Sequence, residues 1–79
     1  MTEVLVYTPC LVLTEKCELV TPIRHEGKFD VYDLSVGKHY WVGCGKFTYK
    51  ILVHEKGYEF VEAYPMTIDY YCKEVFMYD

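Results

Sequence analysis

Apolar and polar residues alternate with a period of two along most of this 79-residue chain, and short turns rich in glycine, proline and charge interrupt the alternation. The middle of the chain carries the clearest pattern. His39–Val42 reads as a strand, Gly43-Cys44-Gly45-Lys46 supplies a turn with two glycines, and Phe47–Val53 sets Phe47, Tyr49, Ile51 and Val53 against Thr48, Lys50 and Leu52. His54-Glu55-Lys56-Gly57 makes a second turn. Tyr58–Tyr64 then resumes the alternation and places Tyr58, Phe60 and Tyr64 on one face with Glu62 among them. These segments predict a three-strand meander.

Shorter stretches of β-forming residues precede it. Val4–Tyr7 and Cys10–Leu13 flank Pro9, Cys17–Val20 leads into Thr21-Pro22, and His25–Lys28 offers a loop tip before Phe29–Tyr32. After Tyr64-Pro65 the period is lost. Thr67–Lys73 fits a helical or 3₁₀ turn with Thr67 or Asp69 as N-cap, and Val75–Tyr78 fits a last short strand. No i, i+3, i+4 spacing is sustained, so a long amphipathic helix has no place. The expected class is all-β, with one short helical turn near the C-terminus. At this length one core is all that fits, so residues 1–79 form a single domain.

The stretch Leu34-Ser35-Val36-Gly37-Lys38-His39-Tyr40-Trp41-Val42 resembles the L-x-V-G-K-x-Y-x-V opening of small SH3-like barrel proteins of bacteriophages and bacteria. Tyr49–Val53, the Gly57 turn, Tyr64-Pro65 and Phe76 continue the likeness, so it covers Leu34 to Phe76. The segment between Pro65 and Phe76 is longer than usual in that family, and the first thirty residues lie outside the pattern. The resemblance implies a small SH3-like barrel and a phage accessory protein. Within the motif, Leu34, Val36, Tyr40 and Val42 share a parity and are expected inside, with Gly37 at the bend and His39 and Trp41 pointing outward.

At 52% hydrophobic and 25% charged the chain has the composition of a globular domain. No apolar run approaches the ~20 residues needed to span a bilayer. Met1–Leu13 carries Glu3 and no basic region of the kind that opens a signal peptide, so a cytoplasmic location and no membrane partner are expected. Cys10, Cys17, Cys44 and Cys72 contain no C-x2-C pair, and without a secretory signal they are expected as free, mostly buried thiols. His25, His39 and His54 are scattered, so neither a metal nor another cofactor is expected.

Chemistry is equally sparse. Ser35 is the single serine, and no nucleophile-elbow, zincin, phosphate-loop or paired-carboxylate signature is present, so no catalytic residue is assigned. Gly43-x-Gly45-Lys46 is explained as a hairpin turn, and Cys44 between its glycines is the most accessible candidate thiol. The net charge is −4. Its whole excess lies after His54, where six acidic residues face two basic ones.

Thirteen tyrosines and phenylalanines are more than so small a core requires, and seven fall between Tyr58 and Tyr78 inside that acidic segment. The expected function is therefore a non-catalytic protein-interaction module with Tyr58, Glu59, Glu62, Tyr64, Tyr70 and Tyr71 as the partner-binding face. Its partner would be basic or itself nucleic-acid-binding, and the resemblance to phage barrels makes a host protein, bound and inhibited, the expected target. The alternative is a nucleic-acid-binding barrel using Lys38, Tyr40, Trp41, Lys46 and Lys50. A homodimer through an exposed edge strand at Val4–Tyr7 is a third possibility.

Overall fold

A computed structural model of the chain describes residues 1–76 and contains seven strands followed by one helical segment. The strands are β1 (Thr2–Tyr7), β2 (Leu11–Thr14), β3 (Arg24–Glu26), β4 (Phe29–Leu34), β5 (His39–Cys44), β6 (Phe47–His54) and β7 (Gly57–Tyr64). They form two antiparallel sheets, one of three strands in the order β1-β4-β3 and one of four in the order β2-β5-β6-β7. The class is all-β. Among the described residues no closed barrel forms: β1 lies beside β7, but no main-chain ladder joins them.

The core sits between the sheets and follows from the alternation. Val4 and Val6 of β1 and Tyr32 and Leu34 of β4 meet Val12, Tyr40, Val42, Ile51 and Val53 from the larger sheet. Tyr40 brings a hydroxyl into this apolar layer, and the Ser35 backbone N–H donates to it at 3.0 Å, so the oxygen is not left bare. Val36, expected inside, is 43% exposed. It lies between β4 and β5 in the bend where Gly37 takes φ +84°, so the strand parity is broken before it.

Two other expectations change. Leu19 makes only an isolated bridge to Leu13, so Cys17–Val20 is not a strand. Val75 and Phe76 belong to a π-helical turn, Tyr71–Phe76, that continues α1 (Ile68–Tyr70); Met77 and Tyr78, the rest of the expected last strand, lie outside the described residues. Thr67 is the N-cap, its hydroxyl accepting from the Tyr70 N–H at 3.2 Å.

The largest change concerns the cysteines. Cys10 bonds to Cys44 and Cys17 to Cys72, with Cα–Cα distances of 4.5 and 5.9 Å, and none is left free. Both distances lie within the range a disulfide requires. Partners 34 and 55 positions apart in sequence show no local spacing signal, which is why the pattern C…C…C…C reads as four separate thiols. In the chain-entropy picture each bridge removes about 4 kcal/mol of unfolded-state freedom, comparable with the total expected for a domain of this size.

Ile51 is fully buried at the centre of the core. Ile51→Ala is expected to cost about 2–5 kcal/mol, read as a lower midpoint of urea unfolding at unchanged slope with the disulfides intact.

Candidate functional site

Two aromatic surfaces emerge from β7, and a bulge separates them. β6 and β7 pair as Lys50↔Glu62 and then Ile51↔Phe60, so Val61 is an extra residue and the side-chain parity switches there. Tyr58 and Phe60 lie opposite Val53 and Ile51 on the inner, core-facing side. Glu62 and Tyr64 lie opposite Lys50 and Thr48 on the outer side. The expectation of Tyr58, Phe60 and Tyr64 on one face is therefore corrected by one inserted residue.

The outer surface is covered. Trp41 points outward as its parity requires, yet it is only 5% exposed because the helical segment folds over it. Tyr71 packs at 4.7 Å from its ring and Tyr64 at 6.1 Å, with Tyr64 and Tyr71 themselves 4.8 Å apart. The Lys50 ammonium sits 5.4 Å from the indole centroid, and the indole N–H donates to the Glu15 carbonyl at 3.3 Å. The hydrogen bond from the Tyr64 hydroxyl to Glu62, together with partial burial, raises the Tyr64 hydroxyl above the usual tyrosine range.

Three features hold this cover down. Thr48, fully buried, donates to the Met66 carbonyl at 2.9 Å and fixes the linker. Ile68 comes so close to Gly43 that a Cβ at position 43 would lie 2.5 Å from the Ile68 Cβ. Cys72 is tied to Cys17, which takes a left-handed φ of +61° in a turn where the Thr14 hydroxyl accepts from the Lys16 and Glu18 N–H groups.

The inner surface is open. The three-stranded sheet does not extend over β7, so Phe60, on the core-facing side, is 64% exposed and Tyr58 stands at the rim with it. Between β1 and β7 lies a cleft of about 430 Å³. Its floor is Val6, Val42 and the Cys10–Cys44 bridge, and its rim is Leu5, Tyr7, Phe29, Tyr49, Tyr58 and Phe60. Among the described residues no charged side chain lines it. The rings form edge-to-face contacts, Tyr7 with Phe29 at 6.2 Å, Tyr49 with Phe60 at 5.4 Å and Tyr58 with Phe60 at 5.6 Å.

The residues singled out from sequence are divided by this geometry. Of the six expected to bind a partner, Tyr58 borders the open cleft, Glu59 and Glu62 lie on the outer side of β7, Tyr64 and Tyr71 build the Trp41 cover, and Tyr70 is exposed on α1. Of the alternative set, Tyr40 is in the core and Trp41 is beneath the cover, while Lys38 and Lys46 are exposed. Cys44, expected as an accessible thiol, is bonded to Cys10. Leu5 and Tyr7 were named only within the Val4–Tyr7 edge strand of a possible homodimer, where a continuous apolar run puts two large residues outside, and Phe29 of β4 was not singled out. Each histidine faces one carboxylate, His25 with Asp30, His39 with Glu15 and His54 with Glu59, and among the described residues no group of three potential metal ligands comes together.

Because Trp41 is the single tryptophan, its quenching by acrylamide reports the cover directly. Gly43→Ala is expected to raise quenching about twofold with the strand signal in circular dichroism unchanged, since a backbone-bound methyl has no room against Ile68. Cys72→Ser is expected to act in the same direction by untethering a helical segment too short to hold itself. No protein-family model, curated protein or solved structure matches this chain.

Proposed function

We propose that this chain is a non-catalytic protein-binding domain that presents the β1–β7 cleft to its partner. The observation that carries the reading is the exposed, charge-free aromatic rim over a floor of buried valines and a disulfide, a composition enriched at the centres of protein interfaces. Tyrosines 7, 49 and 58 bring large area with few rotatable bonds, which keeps the ordering cost of binding low. Nucleic-acid binding has less support, because the ring expected to stack bases is under the helical cover and Tyr40 is in the core.

Two structural disulfides in so short a chain favour an oxidising compartment over the cytoplasm, where such bridges are rare. No helix among the described residues is long and apolar enough to cross a membrane. Inhibition of a host protein, the finer expectation, rests on the likeness to phage barrels alone.

A photo-crosslinking residue at position 60 tests the reading. A discrete crosslinked protein in the native source, lost with Tyr58→Ser and retained with Tyr70→Ser, is the expected result. Equal crosslinking in both variants, or crosslinks that vanish with nuclease, would count against it. Because Tyr58 and Phe60 are exposed, Tyr58→Ser is expected to lower stability by no more than about 1 kcal/mol, checked by urea unfolding.

A further inference from the structure

Two sheets have four edges, and three of them are guarded in recognisable ways. β3 is three residues long. β2 has four residues and is closed at one end by the Leu13–Leu19 bridge. β7 carries the Val61 bulge and the carboxylates of Glu59 and Glu62. Short strands, bulges and charge are the means by which sheets refuse unwanted partners. β1 has six residues, no proline, no lysine and no bulge, and Glu3 is its one charge. It pairs with β4 on one side only.

The unguarded edge adjoins the place where the sandwich is incomplete. Across from β7 the smaller sheet is one strand short, which is why core-side Phe60 meets solvent. We propose that the β1 edge accepts one extended apolar segment of another protein as the fourth strand of the β1-β4-β3 sheet, laid over Tyr58 and Phe60. The inference rests on the protein-binding reading above and names the form of the partner. Main-chain bonds to β1 would supply the pairing, and alternate side chains would reach the cleft between the sheets. The uncharged lining selects apolar residues at those positions, because a charge placed there would lose its water without gaining a partner.

A second copy of the chain fits poorly at either edge. Pairing β1 with its own copy would bring Val4 and Val6 of that copy, which are already buried in its own core and so cannot be lent to the cleft. Pairing β7 with itself along its full length, Gly57 opposite Tyr64, sets Glu59 against Glu62 twice. A free extended strand meets neither obstacle.

The test is a selection of displayed random nine-residue peptides on the oxidised chain, with Phe60→Ser as the counter-selection and circular dichroism confirming that this variant folds. The expected winners carry β-branched or aromatic residues at alternate positions and lack interior proline. Synthesised, they should bind about tenfold or more weaker when alternate amides along one edge are N-methylated. They should also slow hydrogen exchange within Thr2–Tyr7 by about tenfold or more while leaving Gly57–Tyr64 unchanged. Proline-rich winners, indifference to N-methylation on both edges, protection confined to β7, or no enrichment over Phe60→Ser would each overturn the proposal. So would a dimer whose β1 amides are protected without peptide. If strand addition fails while crosslinking at position 60 still depends on Tyr58, the protein-binding reading stands without it; if both fail, the reading goes too.

Discussion

Each face of the four-stranded sheet has to be shielded from water, and among the described residues a three-stranded sheet and a nine-residue helical segment do it. The inner face of β2, β5 and β6 is met by valines, Tyr32 and Leu34 from the smaller sheet. The outer face around Trp41 is met by Tyr71 and Ile68. Neither cover reaches the inner side of β7, and the open cleft is what remains. The candidate interface is thus the part of an ordinary sandwich that this chain leaves unfinished.

The two disulfides follow the same division. Cys10–Cys44 joins the turn after β1 to the end of β5 and so ties the two sheets together beneath the cleft. Cys17–Cys72 ties the helical segment to the turn after β2. A domain this small buries a modest share of its surface, and covalent ties compensate for the core it lacks. They also give the cleft a fixed floor, which lowers the cost of ordering any partner laid across it.

Much of the fold was legible in the sequence because it rests on local periodicity. The β5–β6–β7 meander, the edge position of Val4–Tyr7, the Thr67 cap and the single helical segment all follow from patterns a few residues long. The cysteine pairing was not legible, because bridges across 34 and 55 positions depend on the finished topology. The candidate site was half legible. Excess aromatic residues signalled an exposed surface, but strict alternation carried through Val61 put Tyr58 and Tyr64 on one face, and a bulge leaves no mark in the pattern of apolar residues. The outward direction of Trp41 was correct, and only the path of the chain after Pro65 determined that it would be covered.

That one inserted residue also partitions how the strand can vary. Before Val61 the aromatic residues Tyr58 and Phe60 face the cleft, and after it Tyr64 faces Trp41 and the segment above it. Phe60 and Tyr64 are four positions apart on one strand yet lie on its opposite faces, so changes at the two positions should combine additively. Binding specificity and the integrity of the tryptophan cover can therefore drift independently along a single eight-residue strand.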